Sequence, residues 1–186
     1  MNPIAIFAAD GCEEIEALTV VDLLRRADLH IDIISINGTL LVTGSHNIRF
    51  EADAVIESLD LSSYDGIILP GGMPGTRHLA NNSYVIDALH QFFQAGKLIA
   101  AICAAPSILG QEGLLQGITA TCYPGYEDKL TGANYSAFPV IKSEHIITSR
   151  SMGTAIDFAL EIIRYFQDDE NAERIRKAIV YQQEDR

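Results

Sequence analysis

The feature that most constrains this sequence is an abrupt change from a buried strand to a helix at a cysteine. Residues 98–102 (LIAAI) form an apolar run with the length and composition of a fully buried strand. Cys103 follows directly, and the small residues after it lead to Pro106. Proline suits the first turn of a helix, because its missing N–H loses no partner there. The pattern therefore predicts the strand-to-helix elbow that presents a nucleophile, built here with cysteine.

Two interpretations of Cys103 follow from this elbow. In the first, the thiol faces the free N–H groups of the following helix, which lower its pKa and yield a reactive thiolate. In the second, Cys103 is a small apolar core residue, since free cysteine is among the most buried residue types. The sequence around the elbow favours the first interpretation.

The remaining apolar segments place the elbow in an α/β fold. Strands are predicted at 4–8, 31–36, 66–69, 98–102, 118–121 and 145–148, and helices at 13–27, 85–93 and 172–180. Residues 40–50 are predicted to form either a small hairpin or an excursion at the sheet edge. The spacing from Thr154 to Asp157 is typical of a capping box and predicts a helix that extends to Phe166. Alternating strands and helices indicate a doubly wound, mostly parallel sheet. We interpret residues 1–182 as one domain and residues 183–186 as a polar tail.

The topology brings three chain segments together. In a sheet of this kind ligands bind outside the carboxyl ends of the strands, where the strand order reverses. Residues 10–16, residues 70–74 and Cys103 are therefore expected to converge. Glu16 lies between apolar residues and is predicted to point toward the sheet edge, where it could hydrogen-bond Cys103 or move a proton. The N–H groups of Gly72 and Ala104 are expected to stabilise an oxyanion.

No role in catalysis is predicted for Glu13, Glu14 or the histidines. Glu13 and Glu14 are explained by the favourable interaction of acids with a helix N-terminus. The five histidines lack a clear place near the elbow, so none is assigned to catalysis.

Charge and cysteine spacing exclude several function classes. The 13 basic and 25 acidic residues give a net charge of −12, which disfavours nucleic-acid binding because that binding depends on cationic side chains. The three cysteines are widely spaced and lack the close pairs of zinc sites, so neither a metal nor another cofactor is expected. With no basic leader and no apolar run of membrane-spanning length, the sequence predicts a cytoplasmic protein that does not interact with membranes.

Four segments resemble the ThiJ/PfpI superfamily. These are residues 11–17 (GCEEIEA), 69–72 (LPGG), 100–106 (AAICAAP) and 148–154. Within the superfamily the chain is most similar to the branch that contains the Parkinson-disease-associated protein deglycase and bacterial YajL-type proteins. The resemblance implies a flavodoxin-like three-layer α/β sandwich and a homodimer. By matching position, it implies that Cys103 is the nucleophile and Glu16 its protonated hydrogen-bonding partner.

Two departures from the family pattern limit what the resemblance implies. The protease-like branch has histidine directly after the nucleophile, where this chain has Ala104, so peptidase activity is not expected. The deglycase-like branch commonly has histidine at the position of Tyr123, and tyrosine, with a pKa of about 10, is a poor base at neutral pH. Tyr123, Cys122 and Cys12 are expected to line the site. Cys122 is a candidate resolving thiol for Cys103, with simple burial as the alternative.

Three function classes remain from the sequence. The first is a glutathione-independent glyoxalase or deglycase-like enzyme acting on small 2-oxoaldehydes through Cys103. The second is a redox sensor or oxidative-stress chaperone in which oxidation of Cys103 is the signal. The third is a thiamine-related role associated with the ThiJ name, for which no residue gives support.

Overall fold

A central seven-stranded sheet organises the computed structural model, which describes residues 2–182. The strands are β1 (Ile4–Ala8), β2 (Ile31–Ser35), β3 (Leu41–Thr43), β4 (Arg49–Glu51), β5 (Ala54–Val55), β6 (Gly66–Leu69), β7 (Leu98–Ile102), β8 (Thr119–Ala120), β9 (Asn134–Tyr135), β10 (Val140–Ser143) and β11 (Ile146–Ser149). The order in the main sheet is β5-β2-β1-β6-β7-β11-β10, and every neighbouring pair is parallel except β10 with β11. This order confirms the flavodoxin-like prediction, with β1 beside β6.

Helices cover both faces of this sheet. They are α1 (Glu14–Arg26), α2 (Gly75–Ala80), α3 (Ser83–Ala95), α4 (Pro106–Gln111), α5 (Ala155–Phe166) and α6 (Asp169–Ala178), with single 3₁₀ turns at Ile56–Ser58, Leu61–Ser63, Glu127–Lys129 and Met152–Thr154. Side chains alternate across β1: Ile4 and Ile6 pack with α1, α5 and α6, whereas Phe7 packs with α3 and α4. The two resulting cores make the three-layer sandwich.

Most predicted elements are confirmed. The apolar runs predicted as strands are buried because the sheet is covered on both faces. The residues predicted at 40–50 form a hairpin from β3 and β4. Gly96 ends α3 in the left-handed conformation, with φ of 64°. The tail at 183–186 lies outside the described residues. Within residues 2–182, the helices are too short or too polar to cross a membrane.

Three local predictions were wrong. The strand at 118–121 shortens to β8, which pairs with β9 outside the main sheet. The capping box lies one turn earlier than predicted, because a 3₁₀ turn precedes α5. Ser151 and Thr154 each accept the other's backbone N–H, and Thr154 makes no capping bond to α5 itself. The last helix begins at Asp169 because Asp168 accepts the Asn171 N–H at 2.8 Å.

Candidate active site at the strand-to-helix elbow

Cys103 occupies a tight elbow between β7 and α4. Its φ is 66°, in the left-handed region that few non-glycine residues adopt at low cost. The surrounding backbone fixes this conformation. The Cys103 N–H donates to the Ser149 carbonyl at 3.0 Å, and the Cys103 carbonyl accepts the Tyr123 N–H at 2.8 Å. The side chain is half-buried, whereas Cys12 and Cys122 are fully buried.

Glu16 approaches Cys103 from the first turn of α1. Glu13 caps this helix by accepting the Glu16 N–H at 2.7 Å, which fixes where Glu16 leaves the backbone. The Glu16 side chain is buried, and its Oε2 accepts the Gly71 N–H at 2.9 Å. The Met152 N–H and the Cys103 thiol lie close to this carboxyl group and act to lower its pKa. The structure thus brings Glu16, which lies on the helix after β1, next to Cys103, which follows β7.

Burial raises the pKa of both groups. The pKa of Glu16 rises to about 7, chiefly because burial disfavours its charged form. Burial also raises the pKa of the Cys103 thiol to about 12, and the charge of Glu16 and its hydrogen bond act in the same direction. The lowered thiol pKa that the sequence predicts is therefore wrong, because burial and the neighbouring carboxylate outweigh the backbone N–H groups. The Glu16 carboxylate therefore disfavours a thiolate beside it, and the two groups titrate as a coupled pair.

Two backbone N–H groups face the sulfur. Those of Ala104 and Gly72 favour the thiolate form of Cys103 and act to lower its pKa. Gly72 is required at its position, since its φ is 87° and an added Cβ would lie 2.2 Å from the Glu13 nitrogen. The two groups predicted as oxyanion donors are thus adjacent to the sulfur. An alkoxide formed on an atom bonded to that sulfur would lie beside them.

The other predicted lining residues have different surroundings. Burial raises the pKa of the Cys12 thiol to about 12 and that of Cys122 to about 11, so both stay protonated. Cys122 packs in the core of α3 and α4, whereas Cys103 packs against the core of α1 and α5. Tyr123 contacts the elbow through its backbone, and its exposed ring lies edge-on to Tyr126 at 6.4 Å.

Glu14 has a role that the sequence does not reveal. Its buried carboxylate accepts the backbone N–H of His46 at 2.7 Å and that of Ile48 at 3.3 Å, which ties the β3–β4 turn to α1. Burial acts to raise the pKa of Glu14, but these hydrogen bonds hold it below the usual value. Interaction with the helix N-terminus alone, as inferred from sequence, does not account for this residue.

One described group has the composition of a metal-ligand set. His46 Nδ1 lies 3.2 Å from Glu14 Oε2 and 3.8 Å from Glu13 Oε1. Both carboxylates already accept backbone N–H groups. The group therefore has a structural role, in which Glu13 caps α1 and Glu14 holds the β3–β4 turn.

Comparisons with known proteins agree with this fold. Protein DJ-1 homolog B of Arabidopsis thaliana is 34% identical over 171 residues, which are 91% of this chain, and the chain spans only 39% of that relative's length. The glutathione-independent glyoxalase DJR-1.2 of Caenorhabditis elegans is 31% identical over 183 residues, covering 96% of this chain and 95% of that protein. The solved structure of oxidized Toxoplasma gondii DJ-1 superposes with a TM-score of 0.94 at 34% identity, covering 98% of this chain and 100% of that one.

The family assignment rests on nearly the whole domain. The model of the DJ-1/PfpI family matches residues 2–165, which include all the elements that form the elbow and its surroundings. The chain belongs to the DJ-1/PfpI family.

Proposed function

We propose that this protein is a glutathione-independent glyoxalase that converts 2-oxoaldehydes such as methylglyoxal into hydroxy acids. The observation that carries the proposal is the close approach of the Cys103 thiol and the buried Glu16 carboxyl: a Cβ placed on Gly71 would lie 3.0 Å from the Cys103 sulfur and 2.7 Å from Glu16 Oε2. The N–H groups of Gly72 and Ala104 face the same sulfur. A thiol and a carboxyl that share one proton supply both a nucleophile and a proton carrier. A relative that covers nearly the whole chain bears the name glyoxalase.

The reaction needs no oxidant, because methylglyoxal and lactate differ by one water. Cys103 Sγ bonds to the aldehyde carbon, and the resulting alkoxide takes the proton from Glu16. The Glu16 carboxylate then removes the hydrogen of that carbon as a proton, and the electron pair moves toward the neighbouring carbonyl to form an enediolate. The hydroxyl proton on the first carbon passes to the oxygen of the second carbon, and Glu16 returns its proton to the second carbon, which gives a thioester of lactate. Water hydrolyses this thioester and restores the thiol.

Related proteins commonly have a histidine at the position of Tyr123, and this chain does not. We therefore assign proton transfer to Glu16. Its pKa of about 7 suits a group that must both give and take a proton near neutral pH. Tyr123 holds the elbow carbonyl through its N–H, and in this proposal its ring borders the site. The predicted homodimer and cytoplasmic location stay predictions.

Replacing Cys103 by serine tests the proposal. We expect lactate production from methylglyoxal to fall by at least about 10³-fold, since a buried serine hydroxyl without a histidine base is a poor nucleophile. Lactate is measured enzymatically after removal of protein. Cys122→Ser is the matched control and should retain activity, because Cys122 packs in the opposite core. Unchanged turnover in Cys103→Ser would refute the proposal.

A redox-sensing role is the second candidate, because Cys103 is the only cysteine that is not fully buried. The solved Toxoplasma gondii relative is in an oxidized form. Two equivalents of peroxide would carry the Cys103 thiolate through the sulfenic to the sulfinic acid, with water released at each step. A protonated Glu16 would donate a hydrogen bond to the new oxygens.

Two substitutions of Glu16 separate sensing from incidental oxidation. Glutamine keeps a donor beside the sulfur, so Glu16→Gln should still form sulfinate under mild peroxide. Leucine has no donor, so Glu16→Leu should form several-fold less. Intact-protein mass spectrometry measures both yields. Equal yields in the two variants would mean that Glu16 does not stabilise the oxidized cysteine.

A further inference from the structure

A pocket of about 260 Å³ lies between α2, α4 and the 3₁₀ turn Glu127–Lys129. Its charged lining residues are Arg77 from α2 and Lys129 from the 3₁₀ turn, and its neutral polar residues include Asn81 and Gln111. None of the residues that line it is acidic. The pocket is therefore lined by positive charge, although the chain as a whole has a net charge of −12.

Three connections place this pocket beside the elbow. Met73 lines the pocket and lies two residues after Gly71, where an added Cβ would be 3.0 Å from the Cys103 sulfur. On the opposite wall, Ser107 donates to the Ala104 carbonyl at 2.6 Å. Tyr126 lines the third side and contacts the ring of Tyr123. The backbone segments that surround the sulfur therefore continue into the pocket walls.

The two cationic side chains of the pocket form no ion pair with a described carboxylate. Among residues 2–182, neither Arg77 nor Lys129 has an acidic oxygen within 4.0 Å. The Lys129 ammonium instead lies 4.0 Å from the centre of the Tyr126 ring. A cation–π contact orients an ammonium group but leaves its charge unneutralised. Glu127, on the same turn, bonds to the Gly125 N–H at 2.8 Å and does not line the pocket.

We propose that this pocket binds the anionic end, a carboxylate or a phosphate monoester, of an aldehyde whose carbonyl reaches Cys103. Arginine offers paired donors that match the oxygens of such groups, lysine adds a second positive charge, and the amides of Asn81 and Gln111 supply neutral donors. This inference rests on the proposed function for its substrate class. It makes anionic 2-oxoaldehydes better substrates than neutral methylglyoxal.

Direct binding tests the pocket independently of catalysis. Glycerol 3-phosphate and succinate, as the phosphate and carboxylate probes, are titrated calorimetrically into the Cys103→Ser protein and into the same protein with Arg77→Gln and Lys129→Gln. We expect the double substitution to weaken binding of the preferred probe by at least about tenfold, equivalent to about 1.4 kcal/mol. Arg49→Gln is the matched control, because it removes one positive charge from an exposed arginine outside the pocket. Binding that is absent, or equal in all variants, would overturn the inference.

Turnover then separates this inference from the proposed function. With Cys103 intact, Arg77→Gln/Lys129→Gln should lower kcat/KM for phosphorylated hydroxypyruvaldehyde about tenfold through KM, which corresponds to the same loss of binding, and leave methylglyoxal turnover unchanged. Equal kcat/KM values for the phosphorylated aldehyde in both proteins would contradict the substrate role of the pocket. If neither aldehyde reacts while the anions still bind, the glyoxalase proposal fails and the anion site stands.

Discussion

Turnover of methylglyoxal is expected to increase as pH rises through about 7, and replacing Glu16 by glutamine should move this increase to higher pH. Glu16 and Cys103 are in contact and titrate as a pair. Below about pH 7 both groups hold their protons, and the neutral thiol does not attack. Above this pH the pair holds one proton, and its transfer from sulfur to the carboxyl group produces the thiolate.

Glutamine removes the shared proton and leaves the thiol to titrate alone. The Glu16 charge no longer raises the pKa of Cys103, but burial still does, so the increase in rate appears above pH 7. At pH 7 we expect kcat/KM to fall about 10²- to 10⁴-fold, the range contributed by proton transfer from a positioned side chain. Rate profiles of the purified proteins, measured between about pH 5 and about pH 10, test both effects. This range begins about two pH units below the Glu16 pKa of about 7.

Glu16→Leu provides the comparison that separates chemistry from folding. Glutamine still offers an oxygen to the Gly71 N–H, whereas leucine leaves this buried donor without an acceptor, a loss of about 1–3 kcal/mol. We therefore expect a lower melting temperature for Glu16→Leu than for Glu16→Gln, with low activity in both. A Glu16→Gln protein whose rate still rises near pH 7 would show that another group controls the reaction.

The elbow and its convergence with α1 could be predicted because both depend on patterns within single segments. The run Leu98–Ile102 is buried on both faces of the sheet, so its apolar composition has no competing interpretation. The doubly wound topology then requires the ends of β1, β6 and β7 to meet at one edge. Glu16, Gly72 and Cys103 are near one another for this reason.

The features that could not be predicted depend on contacts between distant segments. Glu14 and Glu13 look equivalent in sequence, and only the packing of the β3–β4 turn buries Glu14 and gives its carboxylate two N–H donors. Met152 reaches Glu16 from the far end of the chain. The direction of the Cys103 pKa shift depends on the depth of burial, which a local pattern of helix N–H groups does not report. The pairing of Arg77 with Lys129 in one pocket is likewise a tertiary feature.

Gly71→Ala should disable the site without removing any of its functional groups. A Cβ on Gly71 would lie 2.5 Å from the Cys103 Cβ, 2.7 Å from Glu16 Oε2 and 3.0 Å from the Cys103 sulfur. Its backbone is outside the left-handed region, so alanine is acceptable to the backbone and the effect is steric. The added methyl group would overlap both side chains, so the thiol and the carboxyl must move apart. The N–H of residue 71 remains available to Glu16.

We expect this displacement to lower kcat/KM by at least about 10²-fold, since misplacing reacting groups by an ångström has that effect. Overpacking should lower the free energy of unfolding by about 1–3 kcal/mol, which a thermal melt followed by circular dichroism will detect. Gly153→Ala is the control: it lies in the turn that carries Met152, and a Cβ there meets no atom within 4 Å. Full activity in a folded Gly71→Ala protein would show that close contact between Glu16 and Cys103 is not needed for turnover, and the proton-sharing mechanism would be wrong.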